Sequence, residues 1–209
     1  QRGLGRSGKP DLAYSMADYA DDAADLLDAL GVDRAHVGGI SFGGMGAQHL
    51  AVRHQDRIDR LVLACTSPGG SHPSADLLAL GRLDEAERAA AYLPLLDTRA
   101  QPGRPLPDDL RRALKLRANR RPVTDPVDLM GARRQLEARA GHDVSTALPS
   151  VPTETLVIGG RHDGIAPIAN LEAIVDRMPA ARLQLCEGGH LFLLQDRAAW
   201  PRIIDFLSE

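Results

Sequence analysis

A chain of 209 residues with 25 basic and 28 acidic side chains carries a formal charge of −3, so it has no basic field that would point to nucleic acid. No run of 18 apolar residues is present, which implies no membrane-spanning helix. The length allows one good-sized core with an insertion, and the two cysteines, Cys65 and Cys186, lie in apolar strand-like runs as reduced core thiols of a cytoplasmic chain, with no disulfide framework and no metal site.

The chain opens on Gln1-Arg2-Gly3-Leu4-Gly5, which reads as the interior of a longer gene product and leaves a signal peptide on the parent open. Gly3 to Gly8 matches G-x-G-x-x-G, and Gly3 to Lys9 matches G-x-x-x-x-G-K. Both patterns need a strand before the glycines and a helix after them. Here no strand precedes, and Pro10 stands where a Ser or Thr would bind magnesium, so a Gly-rich surface loop is expected.

Ser15 is placed to cap a helix, with Asp18 in its first turn. Met16, Tyr19, Ala23, Leu26, Leu27 and Leu30 recur at helical spacing and predict its buried face, and Gly31 predicts its stop. Asp21, Asp22, Asp25 and Asp28 predict a solvated face.

Residues 35–40 form a short apolar run, and residues 45–52 read as a helix. Between them lies Gly39-Ile40-Ser41-Phe42-Gly43, a G-x-S-x-G pattern. Strand, sharp turn and helix are the setting in which such a serine is held with its hydroxyl exposed. Gly39 and Gly43 are expected to relieve collisions across the turn, and Gly44 and Gly46 to let the helix approach the sheet. A second apolar strand, 60–65, ends at Thr66-Ser67-Pro68-Gly69-Gly70. Two strand–helix units in succession predict an α/β chain, a mostly parallel sheet flanked by helices.

From 71 to 149 the texture changes. Helical patches, the clearest at 109–118 and 128–140, alternate with breaks at Pro94, Pro102, Pro105, Pro107, Pro122 and Pro126. A helical cap or lid is expected between a first core part, 1–70, and a second, 150–209. Its arginines, Arg111, Arg112, Arg117, Arg120, Arg121, Arg133, Arg134 and Arg139, are expected on its solvated surface. Its apolar residues Leu77, Leu78, Tyr92, Leu93, Leu96 and Met130 fit pocket and cap core equally. Strands return at 155–160 and 182–186, with helices near 168–178 and 198–207.

Three candidates stand just past predicted strand ends, in the order Ser41, Asp163, His190. The carboxyl ends of parallel strands share one sheet edge, so residues distant in sequence converge there. A serine hydroxyl needs a base to take its proton. A neutral histidine supplies one, and an aspartate holds the imidazole tautomer. Gly188 and Gly189 are expected to let the His190 loop reach the serine. The remaining histidines, His36, His49, His54, His72, His142 and His162, lack this conjunction and are expected in core, cap or surface roles.

These motifs resemble those of the α/β-hydrolase-fold family, in its large esterase–lactonase group. The matching residues are Arg2-Gly3-Leu4-Gly5-Arg6-Ser7, Gly39 through Met45, Val151-Pro152-Thr153 with the strand through Gly159, His162 through Pro167, and Gly188-Gly189-His190. They span the chain apart from the insertion. The resemblance implies a helical cap, no metal and no organic cofactor, and an oxyanion hole that uses the backbone N–H of Phe42. It also implies further strands ahead of the Arg-Gly-Leu-Gly loop and a second oxyanion donor from one of their loops. Neither is in the sequence. An N-terminally incomplete fold is therefore expected, with an uncovered edge on the strand before Ser41 and the 209 residues a fragment of a longer enzyme.

The activity implied is cleavage of a small-molecule carboxylic ester or lactone through an acyl-enzyme. Leu191 after the histidine, where carbon–carbon bond hydrolases of the fold often carry tryptophan, lowers that alternative. Leu191-Phe192-Leu193 is similar to the stretch after the histidine in some intracellular polyester depolymerases and fits an apolar acyl group. A cofactor-free haloperoxidase-type activity, a non-catalytic ligand-binding member and an inactive fragment stay open. The oligomeric state stays open as well.

Overall fold

The computed structural model describes residues 1–117 and 125–209. Arg120, Arg121 and Pro122 lie outside the described residues, as does the side chain of Arg117.

Helix α1 (Met16–Ala29) starts on a reciprocal cap. The Asp18 N–H donates to Ser15 Oγ at 3.2 Å, and the Ser15 N–H donates to the Asp18 carboxylate at 2.7 Å. It stops at Gly31, whose φ of +64° only glycine adopts freely. The buried face differs from the expectation. Met16, Tyr19, Ala20 and Ala24 are buried, whereas Leu26 and Leu30 are 58% and 66% exposed. Leu26 faces a groove along the outer edge of the sheet, shared with Val37, Gly38 and Phe42. The aspartate face is ion-paired: Asp21 meets Arg53 and His54, Asp22 meets Arg2, and Asp28 meets Arg57.

Strands β1 (Ala35–Ile40), β2 (Ile58–Ala64), β3 (Thr155–Gly160) and β4 (Ala181–Cys186) form one parallel sheet in the order β1-β2-β3-β4. The two central strands carry continuous buried apolar runs, 61–64 and 156–160, because a parallel sheet is covered on both faces there, whereas β1 and β4, the outermost of the four, are exposed or half-buried at most positions. β3 is buried at all six positions. Alternate residues of β2 serve opposite cores. Leu61 and Leu63 join Leu50, Val157, Leu171 and Ile174 on one face. Val62 and Ala64 join Leu156, Ile158, Phe192, Ile203 and Phe206 on the other. β1 is an outer strand, and Ile40 at its end is 48% exposed.

Helix α2 (Phe42–Arg53) follows β1 directly. Between β2 and β3 come α3 (Leu77–Leu80), α4 (Glu85–Leu96), α5 (Asp108–Arg117) and α6 (Pro126–Ala140). No strand interrupts them among the described residues. Pro94, expected as a break, lies inside α4, which runs on to Leu96. Arg139, expected in solvent, is 8% exposed, because the loop after β2 lies over it and the Ala75 carbonyl accepts its Nη1–H at 2.7 Å. Helices α7 (Ile168–Val175), α8 (Phe192–Gln195) and α9 (Ala199–Ser208) complete the order. Among the described residues no helix is long and apolar enough to cross a membrane.

The glycine-rich start is a loop, and the first helix opens only at Met16 and not at Gly8, so neither nucleotide pattern has its setting. Gly3 is buried, where its backbone (φ +81°) passes Tyr14 and Gly131, so the loop packs on α6 and does not simply lie in solvent.

Candidate active site

Ser41 stands between β1 and α2 with φ +54° and ψ −115°. A non-glycine residue there is strained, and the surroundings must hold it. They do so at both ends of the residue. The Ser41 N–H donates to the Ala64 carbonyl at 2.8 Å, and the Ser41 carbonyl accepts the Thr66 hydroxyl at 2.9 Å. The turn closes because a Cβ at Gly39 would run into the Gly43 carbonyl, and one at Gly44 would lie 2.6 Å from Thr66 Cβ. Gly43, expected to relieve a collision, has open space around it, because its missing side chain would point away from the turn. Gly46 faces Tyr19 and Met16 of α1 at ordinary contact distance, so it packs helix against helix and not against the sheet.

Asp163 follows β3 and is fully buried as a side chain. One carboxylate oxygen accepts the N–H groups of Ile165 and Ala166 at 2.8 and 2.9 Å. The other is 2.8 Å from His190 Nδ1. Two backbone donors on the first oxygen fix the carboxylate plane and leave the second for the imidazole. His190 follows β4, and its Nε2 is 2.9 Å from Ser41 Oγ. Hydrogen bonds on both nitrogens assign the tautomer: Nδ1 carries the proton toward Asp163, and Nε2 accepts the hydroxyl proton of Ser41. The structure thus joins the three strand-end candidates in one continuous hydrogen-bonded line, over separations of 27 and 149 residues.

Phe42 opens α2, so its N–H is a helix N-terminal donor without an intrahelical acceptor. Its ring packs edge-on against Tyr19 at 4.9 Å.

Two features of the site are not apparent from the motifs. Cys65 is the first residue past β2, at φ +40°. Its Sγ lies within 4.8 Å of donor atoms of both Asp163 and His190. Burial, and then the Asp163 charge, push its thiol well above the usual range, so it stays protonated. The donor set resembles a metal site in composition, but Asp163 and His190 already satisfy one another. Cys65 occupies the same strand-end edge as Ser41, and that position was the available signal. The second feature is the chain from Pro94 to Arg99, which passes between the Asp163 and His190 loops. Leu95 O accepts the Gly164 N–H at 3.0 Å, and Leu96 O accepts the His190 N–H at 2.7 Å.

Of the remaining histidines, His36 is exposed and His54 pairs with Asp21. His49 and His142 are partners at 3.3 Å, where the Ser67 carbonyl accepts the His142 Nε2–H at 2.8 Å.

The family described as the alpha/beta hydrolase fold matches residues 1–196. The 2-hydroxymuconate semialdehyde hydrolase of Pseudomonas putida is 31% identical over 230 aligned positions, covering 99% of this chain and 74% of that protein. The poly(3-hydroxyalkanoate) depolymerase of Ectopseudomonas oleovorans is 29% identical, covering 99% and 72%. The crystal structure of the enol-lactonase from Burkholderia xenovorans LB400 superposes with a TM-score of 0.81 at 27% identity, covering 100% and 78%. With a parallel sheet, a serine on a strained strand–helix turn and relatives that are hydrolases, the chain belongs to the α/β-hydrolase-fold family and is a hydrolase of that fold.

Proposed function

We propose that the site cleaves a carboxylic ester or lactone through an acyl-enzyme on Ser41. The observation that carries this reading is the line Asp163–His190–Ser41, with hydrogen bonds of 2.8 and 2.9 Å. His190 Nε2 takes the hydroxyl proton as Ser41 Oγ attacks the acyl carbon. The Phe42 N–H faces the negative charge that grows on the carbonyl oxygen. Asp163 stabilises the imidazolium without taking its proton. His190 then gives that proton to the leaving alkoxide, which departs as an alcohol, or for a lactone as the far end of the opened ring. Water repeats the sequence on the acyl-enzyme and releases the acid. The helices between β2 and β3 act as the cap over this edge of the sheet.

A second reading has its own support. The Pseudomonas putida relative is a semialdehyde hydrolase, which favours hydrolysis of a carbon–carbon bond next to a carbonyl by the same three residues. Leu191 weighs toward the ester reading.

Labelling by a fluorophosphonate, beside Ser41→Ala and His190→Ala, tests the nucleophile and the base. A short-chain p-nitrophenyl ester assay runs in parallel. The reading requires labelling and turnover in the parent and loss of both in each variant. A folded parent that is neither labelled nor active overturns it.

A further inference from the structure

A buried polar network lies behind the His190 loop, and the reaction as derived does not use it. It begins at Asp97, in the residue after α4, whose side chain is fully buried. Burial alone would raise that carboxyl, but hydrogen bonds from Arg99 and Gln195 outweigh it and hold the group below the usual range. It is therefore a charge inside the protein, which persists only when well paired. Arg99 closes on it at 2.9 and 2.7 Å and reaches Asp109 of α5 at 2.6 Å. Gln195 Nε2 donates to both carboxylates, at 2.9 and 3.0 Å. The amide's other end, Oε1, accepts the Gly189 N–H at 2.9 Å.

Gly189 is the residue before His190, so the network ends one peptide from the imidazole. The chain beside it is held equally closely. A Cβ on Gly189 would run into the Leu96 carbonyl, the same carbonyl that accepts the His190 N–H. Gln195 also lies across Gly188, where a Cβ would come within 2.8 Å of it. The acid loop is tied to the same stretch: the Gly164 N–H donates to Leu95 O, and the Thr98 N–H donates to the His162 carbonyl at 2.9 Å. Segment 94–99 thus binds both loops that carry the acid and the base, and it continues into α4 and α5 of the insertion.

We propose that Asp97 and Gln195 are positioning residues for His190, through which the helical insertion sets the distance between the imidazole and Ser41. This rests on His190 being the base. The magnitude is favourable. Nε2 sits 2.9 Å from Oγ, and a shift of about 1 Å in the Gly189 backbone takes the pair beyond hydrogen-bond reach. Misplacement on that scale costs about 10²-fold in rate. A substrate that moves α4 or α5 on entering beneath them would shift the base through the same bonds.

The test compares the parent with Gln195→Met, which removes the hydrogen bonds at both ends of the amide, and with Asp97→Asn, which keeps the side-chain shape but takes the charge from the network and puts an amide where one carboxylate oxygen accepted from Arg99 and Gln195. Two quantities are read: kcat and KM on a p-nitrophenyl ester, and the downfield proton NMR signal of the His190 Nδ1–H. The signal reports alignment with Asp163 whether or not the chain turns over. Expected are a fall in kcat of about 10- to 100-fold with KM within about twofold, and a broadened or lost signal, in both single variants. A folded Gln195→Met with the parent's signal and kcat overturns the proposal, and so does a folded Asp97→Asn with both readings unchanged. If Gln195→Met fails to fold, Asp97→Asn decides. A parent that shows the signal but is never phosphonylated by a fluorophosphonate overturns the Ser41 reading, while the signal comparison still decides this one.

Discussion

The Asp163 carboxylate meets the His190 imidazole at 2.8 Å with one oxygen and two backbone N–H groups with the other. The carboxylate is therefore held from its own loop, independently of the imidazole. Asp163→Asn keeps the Ile165 and Ala166 bonds but offers an amide to Nδ1. When the amide N–H faces the ring, it selects the tautomer in which Nε2 carries the proton and cannot accept one from Ser41. We expect kcat on an ester substrate to fall about 10⁴-fold with the melting temperature little changed. A decrease of less than tenfold would remove Asp163 from the proposed role.

Ser41 itself stores strain. At φ +54° and ψ −115° it occupies backbone space that glycine enters without cost. Ser41→Gly is expected to abolish fluorophosphonate labelling and to be more stable than Ser41→Ala by about 1 kcal/mol. Chemical denaturation of the two variants side by side measures the difference, and equal midpoints would show that the turn is not strained.

The glycines around the turn separate cleanly. Gly44→Ala places a methyl 2.6 Å from Thr66 Cβ, against a strand end that has little room to move. It should cost about 1–3 kcal/mol. Gly43→Ala meets open space on an exposed first turn and should be neutral or stabilising by up to about 1 kcal/mol. Unfolding midpoints check both, and equal losses would contradict the geometry.

Burial, with the neighbouring His142 and Arg53, pushes His49 down to about 4, against a small opposing effect of Asp143. His142 is lowered as well, chiefly by burial. Both are depressed relative to the unfolded chain, where histidine titrates near 6.5. Below that pH the unfolded state binds more protons than the folded one. Stability is therefore fully present above about pH 6.5 and is lost as pH falls toward 4. Denaturant midpoints across that window should decline in the parent, and His49→Gln should flatten the decline. A parent with a level profile there would refute the assignment.

Much of the fold is local and was legible for that reason. The Ser15 cap, the Gly31 stop and the apolar runs of the four strands act within a few residues, and the structure has each of them. The three site candidates were legible by a different route: each follows a strand, and parallel strands end on one edge. Periodicity misled at Leu26 and Leu30. It reports which residues share a helix face, and not whether another element covers that face. Charge misled at Arg139 for the converse reason, since a charged residue on a helix is buried only when a distant loop lies over it.

By itself the sequence determined the class of fold, the order of strand and helix, and the identity of the groups available for chemistry, because propensities, caps and strand-end motifs are properties of short stretches. Only the tertiary structure decided that Asp163, His190 and Ser41 stand in one hydrogen-bonded line. It alone placed Cys65 beside them, and tied the His190 loop through Gln195 and Asp97 to helices that precede it by some 100 residues. Those contacts depend on distances between residues far apart in the chain, which are set when the sheet and its helices pack, and no local pattern encodes them.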